Sequence, residues 1–488
     1  MRTVACRADR VVVVGAGLAG LAAALHLAGA GRQVTVLERG RTAGGLAGTL
    51  ELDGYRVDTG PTVLTMPELA DEALHAVGDS LAARLELIPL HPAYRAQFAD
   101  GSELDVHTDG EAMEQEVRRF AGPREAAGYR RLRRWLTELY RVERDRFIDA
   151  NFDSPLQLAT PQLAELAALG GFGRLGPAVR RFLGDERVRR VFSFQALYAG
   201  LDPRRALALY AVISYMDTVR GVWFPRGGMH ALPRALAAAA TDAGVDLRFG
   251  TEVTELVHSG NRITEVRTGQ DERFPADAVV LTPDLPAAQR LLRLPARRGL
   301  RFSPSAVVLH AGTTQRWTDA HHTISFGAAW DDTFTEIVRD GRLMTDPSLL
   351  ITRPTASDPH LAPPGRELQY VLAPCPNLRT GPVDWARIGP AYRAELLRVL
   401  ESRGLGGPDA IEAEHLVTPQ DWAQAGHAAG TPFSAAHTFA QTGPFRPRNL
   451  VRGLENAVLA GAGTTPGVGV PPVLLSGKLA AQRITGPR

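Results

Sequence analysis

The feature that most restricts this chain lies in its first forty residues. Four consecutive valines, Val11 to Val14, lead into Gly15-Ala16-Gly17-Leu18-Ala19-Gly20 and then into an alanine- and leucine-rich run ending at Gly31. Unbroken Val favours a strand buried on both faces, and Ala and Leu favour helix. The reading is therefore strand, tight turn, helix, with Gln33 to Glu38 as the next strand. Two such strands joined by a helix form a βαβ unit, which belongs in an open, largely parallel sheet covered by helices. Val11 to Ala30 also has nearly the length of a membrane span. Four glycines and His26 interrupt it, and no cleavage pattern follows, so neither a span nor a signal peptide is expected.

Each glycine of the turn has a mechanical task. Gly15 permits the sharp bend, Gly17 lets a pyrophosphate approach the backbone, and Gly20 lets the helix sit close on the strand. The N–H groups of Ala16, Ala19 and their neighbours at the helix start add positive potential for phosphates. Glu38 ends the second strand, where a carboxylate accepts ribose hydroxyls and repels a 2′-phosphate; FAD or NAD is thus expected over NADP.

A chain of 488 residues exceeds one small core and points to two or three domains or one large interleaved assembly. A formal net charge of +2 lacks the concentrated basic face that nucleic-acid binding needs. Cys6 and Cys375 stand far apart, so neither a disulfide framework nor a Cys-based redox or metal pair is expected, and a reducing cytoplasm fits. His321 and His322 are adjacent, so on a strand they face opposite ways; with no third ligand evident, no metal is expected.

Further along, Ala231 to Ala243 reads as helix, Val245 to Phe249 as strand, Thr251 to Thr268 as a hairpin turning at Ser259-Gly260-Asn261, and Ala278 to Thr282 as a buried strand. Near the C-terminus, Ala457 to Ala460 reads as strand, Gly461 to Val470 as a glycine-rich turn and Pro471 to Ile484 as helix, with Pro471 and Pro472 suited to a helix start. These pieces divide the chain into a discontinuous dinucleotide-binding domain (1–70, 223–292 and 448–488), a helix-rich region (71–222) and a substrate-binding domain (293–447). Arginines in 118–146 and 174–190, interleaved with Trp135, Leu136, Tyr140, Phe147 and Phe182, suit either a membrane-surface contact or a solvated helix face.

Glu38-Arg39, Gly44-Gly45 and Asp58-Thr59-Gly60-Pro61-Thr62 after a dinucleotide fold resemble the flavoprotein superfamily of amine oxidases, protoporphyrinogen oxidases and carotenoid desaturases. Phe192 to Gln195, Gly221 to Gly228 and Gly461 to Pro471 extend the resemblance to bacterial-type phytoene desaturases over nearly the whole chain. His321-His322 with Phe326-Gly327, Tyr370 to Pro374, and Phe445-Arg446-Pro447 also look like that family. The resemblance implies a Rossmann-like FAD-binding domain interleaved with an α+β substrate domain and a helical, membrane-facing region. It implies FAD contacts at Gly15, Ala16, Gly17, Ala19, Gly20, Glu38, Arg39, Gly44, Gly45, Leu46, Gly60, Pro61, Thr62, Val253, Gly461, Gly463, Gly469 and Val470. At position 46 the superfamily often has Arg, where this chain has Leu46.

The implied activity is desaturation of phytoene or a similar carotenoid precursor, with hydride transfer to flavin N5 and oxygen or a quinone as the final acceptor. The implied location is the cytoplasmic face of a membrane, where an apolar polyene is supplied. A hydrocarbon has no polar handles, so no Ser-His-Asp or paired-carboxylate signature is expected, and no catalytic residue is assigned beyond the weak candidates Asp217 and His230. An amine- or protoporphyrinogen-oxidising flavoenzyme and a non-catalytic isoprenoid escort remain alternatives, since one fold serves many chemistries.

Overall fold

A computed structural model describes residues 1–5 and 7–486; Cys6 lies outside the described residues. The valine run forms the strand Arg10–Val14 at the centre of a five-stranded parallel sheet. Gln33–Leu37 and then Asp246–Arg248 lie on one side of it, Ala278–Leu281 and then Ala457–Leu459 on the other. The helix Leu18–Ala28 follows the glycine turn, and nearly all of its residues are buried. A helix apolar on every face has to be enclosed, and this one is covered by the sheet, the helix Ala231–Asp242 and the C-terminal helix Val470–Thr485. That enclosure accounts for the membrane-span length of the sequence run.

The C-terminal helix comes close because Gly477 has no side chain. A Cβ there would lie 2.3 Å from the Ala19 carbonyl oxygen. The hairpin Val253–Ser259 with Arg262–Thr268, joined by Arg273–Pro275, forms a small antiparallel sheet beside the parallel one.

A seven-stranded sheet forms the second layer, in the order Ile411–Val417, Ser305–Thr313, Glu367–Cys375, Leu349–Thr352, His322–Phe326, Tyr94–Phe98, Glu103–Val106. Its last two strands come from the stretch read as helix-rich, which corrects the expected division at 71–222. Tyr94–Phe98 alternates buried and half-buried residues and turns back through Asp100-Gly101 to pair with Glu103–Val106. Such alternation around an Asp-Gly turn is a hairpin signal, and tertiary pairing with His322–Phe326 completes it. Helices do follow, Gly110–Ala121 and Pro123–Glu143. Many of their arginines sit in ion pairs: Arg118 and Arg130 with Glu114, Arg119 with Glu116, Arg141 with Glu138. Among the described residues no helix is long and apolar enough to cross a membrane.

Candidate active site

The three turn glycines differ in what the protein itself demands of them. Gly15 has φ +105°, a conformation that favours glycine, and a Cβ at Gly20 would stand 2.0 Å from the Gly15 carbonyl oxygen. Gly17 is ordinary extended backbone (φ −71°, ψ 174°), and the nearest atom to a Cβ there is 3.9 Å away. The protein does not need glycine at 17 for its own packing, so the residue suits the close approach of a ligand to the backbone. Glu38 accepts hydrogen bonds from the Ala16 N–H (2.7 Å) and the Gly40 N–H (2.7 Å), which fixes its carboxylate over the turn. The Gly44 N–H donates to the Ala16 carbonyl at 2.9 Å, bringing the Gly44-Gly45 loop onto the same turn. Val253 is buried nearby, following Thr251, whose N–H donates to the Glu38 carbonyl. Arg39 points elsewhere, donating to the Ala425 carbonyl, and Leu46 packs in a small cluster with Trp422 and Tyr370.

The Asp58-to-Thr62 segment is the joint between the two layers. Asp58 is buried and accepts from the N–H groups of Met229 (2.8 Å) and His230 (3.0 Å), so two of the sequence stretches singled out above meet here. Burial pushes the Asp58 carboxyl up to about 6, and the two N–H donors offset part of that rise. The Tyr370 hydroxyl donates to the Gly60 carbonyl (3.1 Å), and a Cβ at Gly60 would meet the Leu46 carbonyl at 1.9 Å. Pro61 follows. Thr352 Oγ1 donates to Thr62 Oγ1 (3.2 Å), and His322 Nδ1 bonds Thr352 Oγ1 (2.9 Å).

The C-terminal turn runs from Gly461 (φ +104°) through Gly463 to Gly469 (φ +116°), and Val470 opens the last helix. Arg446, fully buried, holds it. Its guanidinium donates to the carbonyls of Ala462 (2.6 Å), Thr464 (2.9 Å), Ala435 (3.1 Å) and Gln441 (3.3 Å). Burial lowers the Arg446 pKa to about 10, which leaves the group charged at neutral pH.

The two catalytic candidates part company. His230 belongs to the joint, its Nδ1 bonded to the Ala47 carbonyl (2.8 Å) beneath the Gly44-Gly45 loop. Asp217 lies in a π-helical turn, Met216–Arg220, within a buried group containing Tyr94 and Gln195. The two histidines correct an expectation: their ring centroids are 4.5 Å apart instead of on opposite faces. His321 precedes the strand that begins at His322, so strand alternation does not govern the pair. Burial depresses both below the ordinary histidine range, His322 to about 3, so both are neutral imidazoles. Sequence reasoning did not single out Tyr94, Tyr198 or Thr352, none of which sits in a recognisable motif.

Residues 18–485 match the model of the flavin-containing amine oxidoreductases. The chain is 70% identical to a phytoene dehydrogenase of Streptomyces griseus over all of its own length and 97% of that protein's. It is 35% identical to a zeta-carotene-forming phytoene desaturase of Myxococcus xanthus, covering 97% of this chain and 93% of that one. This chain belongs to the phytoene desaturase branch of the flavin-containing amine oxidoreductases. Among solved structures, a putative protoporphyrinogen oxidase from Exiguobacterium sp. 255-15 shares the fold (TM-score 0.59, 17% identity, 98% of each chain). As a member of the family the chain is an FAD-dependent oxidoreductase. The observed turn fits that cofactor: a glycine at 17 that the protein's own packing does not require, a fixed acid at Glu38 and the N-terminus of the first helix beside them.

Proposed function

We propose that this protein desaturates a phytoene-type carotenoid precursor and that FAD is held by the residues of the three turns described above. The observation that carries the reading is near-full-length similarity to a phytoene dehydrogenase, in a chain whose family-like stretches pack into one site. Gly15, Ala16, Gly17, Ala19 and Gly20 would receive the pyrophosphate, and Glu38 the ribose. Gly44, Gly45, Leu46, Gly60, Pro61 and Thr62, with Gly461, Gly463, Gly469 and Val470, would enclose the flavin; Arg39 and Val253 would border the adenosine end. When bound, the flavin supplies the two-electron oxidation of a C–H bond.

The protein's own part is to align an apolar chain and exclude water. A small cleft, lined mainly by apolar side chains such as Met66, Leu69, Met216, Pro471 and Leu475 but also by Arg144 and Asp149, opens beside the start of the last helix. The electrons pass on to oxygen or a quinone. The substrate comes from the cytoplasmic surface of a membrane, a reading supported by the exposed rings of Phe439 (62%) and Phe445 (40%), 5.7 Å apart, beside Arg297. Liposome co-sedimentation of the Phe439→Ser, Phe445→Ser double variant is expected to fall well below wild type, and unchanged binding would refute that docking face.

The activity is tested with FAD-loaded protein, phytoene-containing liposomes and either air or a quinone. Growth of a structured long-wavelength polyene band is expected. Bound flavin with no such band, but with reduction by amines or porphyrinogens, would overturn the assignment.

A further inference from the structure

Buried polar atoms almost always find hydrogen-bond partners, so a cluster of them without partners marks a place built for something else. One such cluster lies where the helical turns of residues 194–220 pack on the seven-stranded sheet. Asp217 Oδ2, the hydroxyls of Tyr94, Tyr198 and Ser214, Gln195 Oε1 and His322 Nε2 are all buried without partners. They come from separate elements: the strand Tyr94–Phe98, the turn Phe194–Leu197 and its following residue, the helix Ala211–Tyr215, the π-helical turn Met216–Arg220, and the strand His322–Phe326. The rings of Tyr94 and His322 lie 5.5 Å apart, and those of Tyr94 and Phe194 6.0 Å apart.

Two connections join this cluster to the cofactor side. His322 reaches Thr62 through Thr352 by the hydrogen bonds described above. Met216, next to Asp217, lines the apolar cleft together with Pro471 and Pro472, directly after Gly469 and Val470. The buried Asp217 carboxyl therefore belongs to a residue one position along the chain from the cleft wall.

We propose that Asp217 is the proton acceptor of the desaturation, a catalytic residue aided by Tyr94 and Tyr198 as positioning residues. The proposal rests on the desaturase reading. Converting CH–CH to C=C removes a hydride from one carbon, which the family's flavin accepts, and a proton from its neighbour. As the second C–H bond breaks, its electron pair becomes the new π bond and its proton passes to the Asp217 carboxylate. The acid returns the proton to solvent before the next cycle.

The surroundings suit this task. Burial pushes the Asp217 carboxyl up to about 8, and the side chains of Tyr94 and Gln195, which face it without a hydrogen bond of ordinary geometry, offset part of the rise. The ionisable groups facing it are Tyr94, Tyr198 and, beyond Tyr94, the neutral His322; Arg133, from the helix Pro123–Glu143, donates instead to the Tyr129 hydroxyl (3.1 Å) and the Thr218 carbonyl (3.4 Å). Such an acid is a far stronger base than an exposed aspartate, and base strength near the working pH is what proton abstraction requires.

The test uses FAD-loaded protein reduced anaerobically by phytoene in liposomes, as a function of pH, together with infrared titration of the buried carboxylic acid. Expected are a reduction rate that rises with pH to a plateau above about 8, and a carboxylic-acid carbonyl band that disappears over the same range. Asp217→Asn should retain FAD and its circular dichroism, lose the band, and slow reduction by roughly 10²- to 10⁴-fold. Asp217→Glu should recover part of the rate. Wild-type reduction rates in a folded Asp217→Asn, or a band that persists in that variant, overturn the proposal alone. Failure of phytoene to reduce the wild type overturns the desaturase reading, and the proposal with it.

Discussion

Replacing Gly17 and Gly20 separately by Ala should give opposite outcomes. At Gly17 the backbone is extended and the nearest atom to a Cβ is 3.9 Å away, so the apoprotein gains a methyl without strain. Reduced freedom of the unfolded chain then leaves it unchanged or stabilises it by about 0.4–1 kcal/mol. The methyl occupies the space assigned to the pyrophosphate. Loss of one charge-assisted hydrogen bond, roughly 1.5–3 kcal/mol, raises the FAD Kd about 10- to 150-fold. At Gly20 the Cβ would lie 2.0 Å from the Gly15 carbonyl oxygen, so the first helix must move off its strand. Overpacking of that kind destabilises by roughly 1–3 kcal/mol even without ligand. Thermal melts of apoprotein and fluorescence titration with FAD separate the two effects. Wild-type FAD affinity in Gly17→Ala, or an apoprotein melting loss equal to that of Gly20→Ala, would refute the reasoning.

Asp58 gives a pH-dependent prediction. Its folded pKa of about 6 lies above the ordinary value of 3.8, so its stabilising contribution is complete below about pH 4 and is lost as pH rises through 6. The stability difference between wild type and Asp58→Asn, from urea unfolding of apoprotein, should fall by roughly 2 kcal/mol between pH 4 and 7, and a constant difference would contradict this. Arg446→Met leaves the carbonyls of Ala462, Thr464, Ala435 and Gln441 without their donor and should be recovered free of FAD; normal flavin content would count against the role of the turn. Tyr370→Phe removes one hydrogen bond to Gly60 and should weaken FAD binding by less than tenfold, as measured by equilibrium titration.

The parallel sheet was readable because its signals are local: a valine run, a glycine turn and an acid at a fixed distance. The C-terminal strand, turn and helix were readable for the same reason, and the observed helix begins one residue before the expected Pro471. The hairpin at residues 94–106 carries the same kind of local pattern, but its place in the sheet depends on pairing with His322–Phe326, more than 220 residues away (Arg95 opposite Thr323). The Asp217 group was not legible in that way. Its members are spread from Tyr94 to His322, and only the packing of the helical turns of residues 194–220 on the seven-stranded sheet brings them together. Asp58 is intermediate: its motif was evident, but its attachment to the N–H groups of Met229 and His230 spans more than 170 residues of sequence.

The placement of the C-terminal helix has a consequence for biosynthesis. The first βαβ unit leaves the ribosome early, yet the helix Leu18–Ala28 gains its full cover only when Val470–Thr485 docks on it through Gly477. At roughly 5–20 residues per second, the intervening chain takes on the order of half a minute or more to synthesise. Throughout that interval one of the most apolar helices of the molecule stands partly bare, and the flavin-side turn does not yet exist. Cofactor loading is therefore a late event, and a nascent chain stalled before residue 470 should recruit chaperones instead of FAD.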